Sequence, residues 1–250
     1  MSDTHPAKRL PTQDELPYDD DEVMETARHR QQMELLIETL EPHLHQRQGG
    51  GYVGGDMFVY FDPDQVRTRN FKGPDVFVVL DVPARERKSW VVWEEHKGPD
   101  VVIELLSEST ANDDKTHKKA VYESMLGVAE FYWYDPFNPG DFAGFKLQTG
   151  GYRPMTPDAE GNLLSHVLGL RLTRWAGSYH NTEAVWLRWL DADGNLLLTG
   201  EEQAEIARHE AESARHEAES ARHEAITERE RAERLAARLR ALGVDPEAEE

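Results

Sequence analysis

Two apolar stretches decide the fold, VVIELLSEST at residues 101–110 and GPDVFVVLDV at residues 73–82. Each stretch follows or contains a Gly-Pro-Asp tripeptide, at 98–100 and at 73–75 respectively. Short, continuous apolar runs bounded by turn residues are typical of strands that are covered on both faces. The two stretches therefore predict buried strands of one sheet.

Each of these predicted strands carries a carboxylate. Asp75 opens the first strand, and Glu104 lies inside the second, between Ile103 and Leu105. A buried carboxylate costs several kcal/mol unless it is paired, hydrogen-bonded or bound to a metal. A salt bridge, or an edge strand that leaves Glu104 in water, would explain it without chemistry. Together, Asp75 and Glu104 could supply the oxygen ligands that Mg²⁺ requires, leaving positions for water and phosphate.

A helix is predicted over residues 113–126, directly after the second strand. Asp114, Lys118 and Tyr122 stand in it at i, i+4 and i+8, which places them on one helix face. An ammonium group beside a metal could orient the attacking water or stabilise charge on phosphoryl oxygens. Asp75, Glu104 and Lys118 thus form a candidate site for metal-dependent phosphodiester hydrolysis, with Asp114 and Tyr122 as secondary candidates.

The remaining pattern of the central region predicts a mixed α/β arrangement. An N-terminal helix is expected from an N-cap at Asp20 or Asp21 to Pro42. Strands are predicted at 52–60, 75–82, 90–94, 100–106 and 130–135. Two hairpins are predicted after them, at 141–153 with a turn at Gly150-Gly151 and at 184–198 with a turn at Asp193-Gly194. A mixed sheet flanked by helices follows from this order.

Three further side chains are weaker candidates for the site. Asp100 precedes Glu104 by four residues, so it would be an outer ligand or simply a cap on the strand's end. Glu25 and His29 lie on the first predicted helix, where either could hydrogen-bond a metal-bound water. Packing or surface roles are the alternative for both.

The distribution of charge along the chain bears on whether nucleic acid is a partner of this protein. The net charge of −20 opposes binding to nucleic acid. The acidic excess lies mainly at the ends, since residues 1–26 carry 8 acidic and 2 basic side chains and residues 201–250 carry 15 and 8. Residues 67–97 hold 7 basic and 5 acidic side chains, and this stretch would either face a phosphate backbone or form a solvated loop. Strand aromatics such as Trp90 and Trp133 could stack on bases, although such residues usually fill a core.

Composition excludes several classes of protein. The chain has no cysteine, so it has no disulfides, zinc–thiolate cluster or thiol nucleophile. No stretch approaches the roughly 20 apolar residues that a membrane span needs. The acidic N-terminus also lacks the order of a signal peptide. A cytoplasmic protein without a membrane partner is expected.

The ends of the chain differ from its middle. Residues 1–18 form an acidic, Pro-containing leader that is predicted to be disordered, as is the segment 244–250. Residues 201–243 are predicted to form a helix, in which ARHEAES occurs at 207–213 and 214–220 and ARHEAIT at 221–227. Small apolar residues there recur in steps of four and three, which is a heptad seam.

The charges beside this seam favour a parallel coiled-coil homodimer. With Ala207 at position d, glutamates fall at g and arginines at e. A parallel pair then matches Glu210 with Arg215, Glu217 with Arg222 and Glu224 with Arg229. An antiparallel pair would oppose like charges. The alternative is a single charged helix, because alanine side chains bury little apolar surface.

The central motifs also resemble a known family. GPDVFVVLDV at 73–82, VVIELLSEST at 101–110, the Asp114-x3-Lys118-x3-Tyr122 helix and GVAEFYWYDP at 127–136 are similar to the Uma2 restriction endonuclease family of the PD-(D/E)XK nuclease superfamily. The resemblance implies a restriction-endonuclease-like fold over residues 19–200 and a divalent-metal nuclease site. Asp75 matches the first carboxylate of the motif and Glu104 the second.

One position departs from the superfamily pattern. Its lysine usually lies two residues after the second carboxylate, where this chain has Leu106. The Uma2-like pattern takes the lysine from the following helix and selects Lys118, with Lys115 and Lys119 as neighbours that could be confused with it. The expected function is a Mg²⁺- or Mn²⁺-dependent endonuclease that acts on DNA. The alternative is an inactive nuclease-fold adaptor that oligomerises through its tail.

Overall fold

The computed structural model of the chain describes residues 9–18, 26–65 and 73–242. The chain divides into two compact units, Met1–Thr199 and Gly200–Glu250. In chain order, the helices and strands of the described residues are α1 (Ala27–Gln46), β1 (Gly51–Gly54), β2 (Val59–Tyr60), β3 (Val76–Leu80), β4 (Trp90–Val91), α2 (Val92–Glu95), β5 (Val101–Leu105), α3 (residues 111–126), β6 (Glu130–Tyr134), β7 (Phe142–Gln148), β8 (Gly151–Pro154), β9 (Leu163–Ser165), β10 (Leu170–Tyr179), β11 (Thr182–Leu190) and α4 (Gly200–Ala241).

A six-stranded mixed sheet forms the centre of the first unit, in the order β1-β3-β5-β6-β7-β8. Strands β5 and β6 are parallel, and the other neighbouring pairs are antiparallel. Every residue of β3 and β5 is buried, as their continuous apolar sequences predict. The predicted mixed sheet flanked by helices is therefore confirmed.

Different helices and strands pack on the two faces of this sheet. Leu36, Leu40 and Leu44 of α1 pack with Ile103 and with β9, β10 and β11 on one face. Tyr122 of α3 packs with Val102 and Phe131 on the other face. Because successive side chains of a strand point to opposite faces, Glu104 lies with Val102 on the α3 face.

Helix α1 differs from its predicted bounds at both ends. The predicted N-caps, Asp20 and Asp21, lie outside the described residues, and α1 is capped by Thr26, whose side chain accepts a hydrogen bond from the His29 N–H. Pro42 does not end the helix, which continues to Gln46. Leu44 is buried in the core beyond the proline, and this packing offsets the hydrogen bond that Pro42 cannot donate.

Two predicted strands are shorter than expected. The stretch 52–60 forms β1 and β2, which belong to different sheets, because the chain turns at Gly55 and at Asp56, where φ is +48°. The stretch 90–94 is a strand only at Trp90 and Val91 and then turns into the short helix α2. In both places apolar content alone suggested one continuous strand.

The two predicted hairpins have different outcomes. Strands β7 and β8 form the first one, with Gln148 opposite Gly151. The second predicted hairpin forms only close to its turn at Asp193-Gly194, where the Asp191 N–H donates to the Asn195 carbonyl at 2.8 Å and the Leu197 N–H to the Trp189 carbonyl at 2.9 Å. The main partner of strand β11 is instead β10, with which it pairs along its whole length. The turn of the main hairpin lies at His180 and Asn181, both with positive φ, and this pair is not a common turn signature.

The N-terminal segment of the described chain contains buried residues, whereas its C-terminal helix contains none. Residues 9–18, part of the leader that composition predicts to be disordered, lie against the first unit. The Trp93 Nε1–H donates to the Pro11 carbonyl at 2.9 Å, and Leu16 is buried with Phe58 and Tyr60. Helix α4 contains 42 residues and buries none of them. No described helix has the length and apolar character that crossing a membrane requires.

Candidate active site

Asp75 lies immediately before β3, next to β5. The antiparallel register pairs Val76 with Ile103, which brings Asp75 beside the C-terminal half of β5. The Leu105 N–H donates a hydrogen bond of 2.6 Å to Asp75 Oδ2, and the charge of Glu104 helps to raise the pKa of the adjacent Asp75 carboxyl. The two carboxylates that are separated by 29 positions in the sequence are therefore adjacent in the fold.

Gly55 allows this approach of the backbone at Asp75. A Cβ at Gly55 would lie 2.6 Å from Ile37 Cδ1, 2.7 Å from Met33 Sδ and 2.8 Å from the Asp75 carbonyl oxygen. The Asp56 N–H donates to the same carbonyl at 3.3 Å. Helix α1 and the turn after β1 thus hold the segment that carries the first carboxylate.

Glu104 is fully buried, and both of its carboxylate oxygens accept hydrogen bonds from α3. The Tyr122 hydroxyl donates to Oε1 at 2.6 Å, and Lys118 Nζ donates to Oε2 at 3.0 Å. Lys118 Nζ also lies 2.8 Å from Oδ1 of Asp114, whose side chain is 1% exposed. The structure therefore places all five of the helix and strand candidates, Asp75, Glu104, Asp114, Lys118 and Tyr122, in one cluster.

Of the three neighbouring lysines on helix α3, only Lys118 is directed toward the cluster. It alternates α-helical and π-helical stretches, with π geometry over Asp114–Lys118 and Tyr122–Leu126. π geometry inside helices is rare and is frequent at functional sites. Lys115 pairs instead with Asp141, and Lys119 Nζ lies 3.6 Å from the centroid of the Phe145 ring. The spacing argument for Lys118 agrees with this arrangement.

The cluster holds more negative than positive charge. Burial, together with the Glu104 carboxylate, raises the pKa of Asp75 well above its ordinary value. Burial likewise raises the pKa of Asp114. Burial would lower the pKa of Lys118, but the carboxylates of Glu104 and Asp114 outweigh it and raise that pKa. Three carboxyl groups thus surround the Lys118 ammonium, and the acidic surplus favours either a proton or an added cation.

The donor set fits a divalent cation that keeps part of its water shell. Within residues 9–18, 26–65 and 73–242, no three His, Asp or Glu side chains are grouped so as to hold a metal ion. Mg²⁺ commonly binds through one or two carboxylates and completes its coordination with water and substrate phosphate. Asp75 and Glu104 supply such a pair, and their adjacency gives the charge that a cation would neutralise.

The three weaker candidates, Asp100, His29 and Glu25, are not part of this cluster as the structure describes it. Asp100 Oδ2 accepts from the Leu80 N–H at 2.7 Å and pairs with Lys97, so it caps the opposite end of β5. His29 is buried, and its Nε2 lies 2.9 Å from the Leu106 carbonyl oxygen, two residues beyond Glu104. Glu25 lies outside the described residues.

The basic stretch at 67–97 is largely paired within the chain. Arg85 and Arg87 both bond to Glu95, and Lys88 Nζ lies 3.0 Å from Asp14 Oδ1. The last basic residue of the stretch, Lys97, pairs with Asp100. The first three, Arg67, Arg69 and Lys72, lie outside the described residues. The described basic residues of this stretch therefore pair with acids of the same chain, and Arg87 is buried. Neither predicted role, a surface facing a phosphate backbone or a solvated loop, follows from these contacts.

Two contributors to the site carry no chemical signal in the sequence. The Leu105 N–H holds Asp75, but any residue except proline offers such a donor. Gly55 leaves room for the backbone of Asp75. Its only signal in the sequence is that it is a glycine, the residue that allows a close approach of two backbone segments. A search of the sequence for charged or reactive side chains therefore misses both contributors.

Comparison with known proteins identifies the family of the chain. A family described as "Uma2: Putative restriction endonuclease" matches residues 7–176, which is more than half of the chain. The chain belongs to the Uma2 family. Among solved structures, it is similar to a protein of Anabaena variabilis ATCC 29413 described as "a putative nuclease belonging to DUF820", with 13% identity over 58% of this chain and 76% of that chain and a TM-score of 0.43. No curated protein matches the chain.

Proposed function

We propose that this protein is a metal-dependent endonuclease that hydrolyses phosphodiester bonds of DNA. The observation that carries the proposal is the adjacent pair of acids Asp75 and Glu104, with the Lys118 ammonium donating to the second carboxylate. The description of the Uma2 family as restriction endonucleases supports the reaction class and DNA as the substrate. Mg²⁺ or Mn²⁺ is the proposed cofactor.

Each residue of the cluster has a distinct role in this proposal. Asp75 and Glu104 would hold the cation, which when bound supplies Lewis acidity toward a phosphoryl oxygen and lowers the pKa of a water. Lys118 places its ammonium where negative charge develops on the scissile phosphate. Tyr122 and Asp114 are positioning residues, since each contacts the cation-holding or the ammonium side chain and fixes its direction.

The first test is nicking of supercoiled plasmid with Mg²⁺, with Mn²⁺ and with chelator. Asp75→Asn removes one cation ligand, and we expect activity to fall by at least about 10²-fold. In chelator, the same variant should be as stable to heat as the wild type or more stable, because it removes repulsion between adjacent carboxylates. Loss of activity through unfolding would instead lower the melting temperature.

Asp81→Asn is the matched control. Asp81 is exposed, pairs with Arg47 and has φ of +57°, a conformation that asparagine also tolerates. This variant should nick plasmid at the wild-type rate. Full activity of Asp75→Asn, beside an equally active control, would contradict the proposed site.

The long exposed helix α4 favours a second candidate, a non-catalytic adaptor with a nuclease fold. The change in melting temperature on addition of Mn²⁺ distinguishes the enzyme from the adaptor. The enzyme should be stabilised by the cation in the wild type and not in Glu104→Ala. An adaptor without a cation site should show no response in either protein, together with no nicking.

A further inference from the structure

A second cluster of charged side chains lies on the opposite face of the sheet from Glu104. Lys146 of β7, Arg153 of β8, His166 and Arg171 of β10 line an open cavity of about 510 Å³. Lys146 is the register partner of Glu130, and Glu130 is the register partner of Val101. Register partners point to the same face of a sheet, and Val101 packs on the face that α1 covers. Lys146 therefore also lies on the α1 face. The cavity is therefore separate from the proposed catalytic cluster.

Two of these cations oppose each other directly. Lys146 and Arg153 are register partners in the antiparallel pair β7–β8, so their side chains stand side by side on one face. Like charges in such a cross-strand pair destabilise a sheet. Among the described residues, neither side chain forms an ion pair. In a chain of net charge −20, an unneutralised cationic pair is unexpected.

The nearby carboxylates are already engaged. Asp158 accepts from the N–H groups of Glu160 and Asn162 and from the Asn162 side chain, so it closes its own turn. Glu130 is fully buried and accepts from Ser165, Tyr132 and the His166 N–H. Hydrogen bonds thus satisfy both acids, although Asp158 also interacts with the charge of Arg171 and lowers the local positive potential.

We propose that this cavity binds the phosphate group of a nucleotide or of a nucleic-acid strand. Arginine and lysine are the side chains that recognise phosphate, arginine by two parallel hydrogen bonds and lysine as a point charge. The cavity also has the volume of an ordinary small-molecule site. Bound phosphate would neutralise the Lys146–Arg153 pair, which explains why that pair is present.

The test measures binding by the full chain in chelator, where neither cation binding nor cleavage contributes. The probes are inorganic phosphate, a mononucleotide and a short single-stranded oligonucleotide. Arg153→Glu should weaken phosphate binding by at least about tenfold. It should also raise the melting temperature in the absence of phosphate, because it converts a like-charge pair into an opposite-charge pair.

Arg171→Gln is a second variant that leaves the cross-strand pair unchanged, and it should also weaken phosphate binding. Arg30→Glu, on the exposed surface of α1, is the control and should keep the wild-type affinity. Equal affinity for phosphate and mononucleotide would identify a free ligand, and affinity that rises with oligonucleotide length would identify a strand. Absence of phosphate binding by the wild type, or undiminished binding by Arg153→Glu and Arg171→Gln, would overturn the proposal. Because cleavage is not measured, failure here leaves the nuclease proposal intact.

Discussion

At the scale of single residues, the fully buried carboxylate of Glu104 organises the site. Burial of a charge without partners would cost several kcal/mol. Tyr122 and Lys118 satisfy one oxygen each, and Asp75 adds a second acid rather than a second cation. A purely structural carboxylate is better served by neutral donors alone, as Glu130 shows in the same protein. The excess of acid at Glu104 is the feature on which the proposed cation site rests.

Tyr122→Phe should separate positioning from packing. The variant keeps the ring in the core but removes the 2.6 Å hydrogen bond to Glu104. We expect unfolding in urea to show a loss of about 1–3 kcal/mol, because a buried acceptor loses its donor. Plasmid nicking should fall as well, since Glu104 is then free to change direction.

Tyr152→Phe is the matched control for this substitution. The Tyr152 hydroxyl donates to the Val128 carbonyl at 2.9 Å, on the same face of the sheet but outside the cluster. It should lose similar stability and keep its nicking rate. Equal effects of both variants on the nicking rate would show that Tyr122 acts through stability alone.

The pair Arg87–Glu95 should give the fold a defined dependence on pH. Burial would raise the pKa of Glu95, but hydrogen bonds from Arg87 and Arg85 outweigh it and lower that pKa below its ordinary value of 4.5. A carboxyl group with a lowered pKa stabilises the folded state above pH 4.5, and this contribution is lost as the pH falls through the lowered pKa.

Glu95→Gln tests this dependence. At pH 7 the variant should be less stable than the wild type by about 3 kcal/mol, because it leaves the buried Arg87 guanidinium without its anion. The difference should shrink as the pH falls from 4.5 through the lowered pKa, below which Glu95 of the folded wild type is also neutral. Urea unfolding of both proteins over this range measures it. A difference that is constant with pH would show that the ion pair contributes nothing.

At the scale of elements, helix α4 carries the predicted heptad seam and leaves it exposed. It extends for about 63 Å at 1.5 Å per residue, and none of its 42 residues is buried. Leu235 and Leu239, which continue the alanine seam, are 52% and 39% exposed. We propose the parallel homodimer that the sequence predicts as the state that covers this seam.

Truncation after Thr199 tests the dimer by sedimentation. The full chain should sediment at twice its 28.6 kDa mass and the truncated chain as a monomer. Since no core residue lies in α4, the truncated chain should keep its melting temperature apart from effects of dimerisation. An unchanged oligomeric state after truncation would exclude the tail as the interface.

Charge exchange in the tail tests its orientation. Glu217→Arg should weaken a parallel dimer about fivefold, because it sets the introduced guanidinium against Arg222 of the partner subunit. Adding Arg222→Glu should restore the affinity by reversing both partners. Failure of the double variant to recover the wild-type dissociation constant would contradict the parallel arrangement.

At the scale of the whole molecule, the net charge of −20 should govern the approach of DNA. Repulsion between two polyanions acts over about 30 Å at 0.01 M salt and about 10 Å at 0.1 M. In chelator, we therefore expect binding of duplex DNA to become tighter between these salt concentrations. Most DNA-binding proteins show the reverse because they release counterions. A steep loss of affinity with salt would mean that a local basic surface outweighs the net charge.

Much of the fold was predictable because its signals are local. Continuous apolar runs predicted β3 and β5, and the spacing of Asp114, Lys118 and Tyr122 predicted one helix face. Strand β10 and its turn at His180-Asn181 were missed, since that turn has no common signature. The end of α1 was misplaced at Pro42 because packing of Leu44, which is not local in sequence, decides it.

The sequence by itself determined which residues are candidates for the chemistry, since residue type and spacing are properties of the chain alone. It named two acids, one amine and the family pattern that joins them. Only the tertiary structure decided that Asp75 and Glu104 are adjacent, that Lys118 rather than Lys115 reaches Glu104, and that Lys146 faces Arg153. The reason is physical: strand register, helix orientation and the close approach at Gly55 arise from packing among segments far apart in the chain.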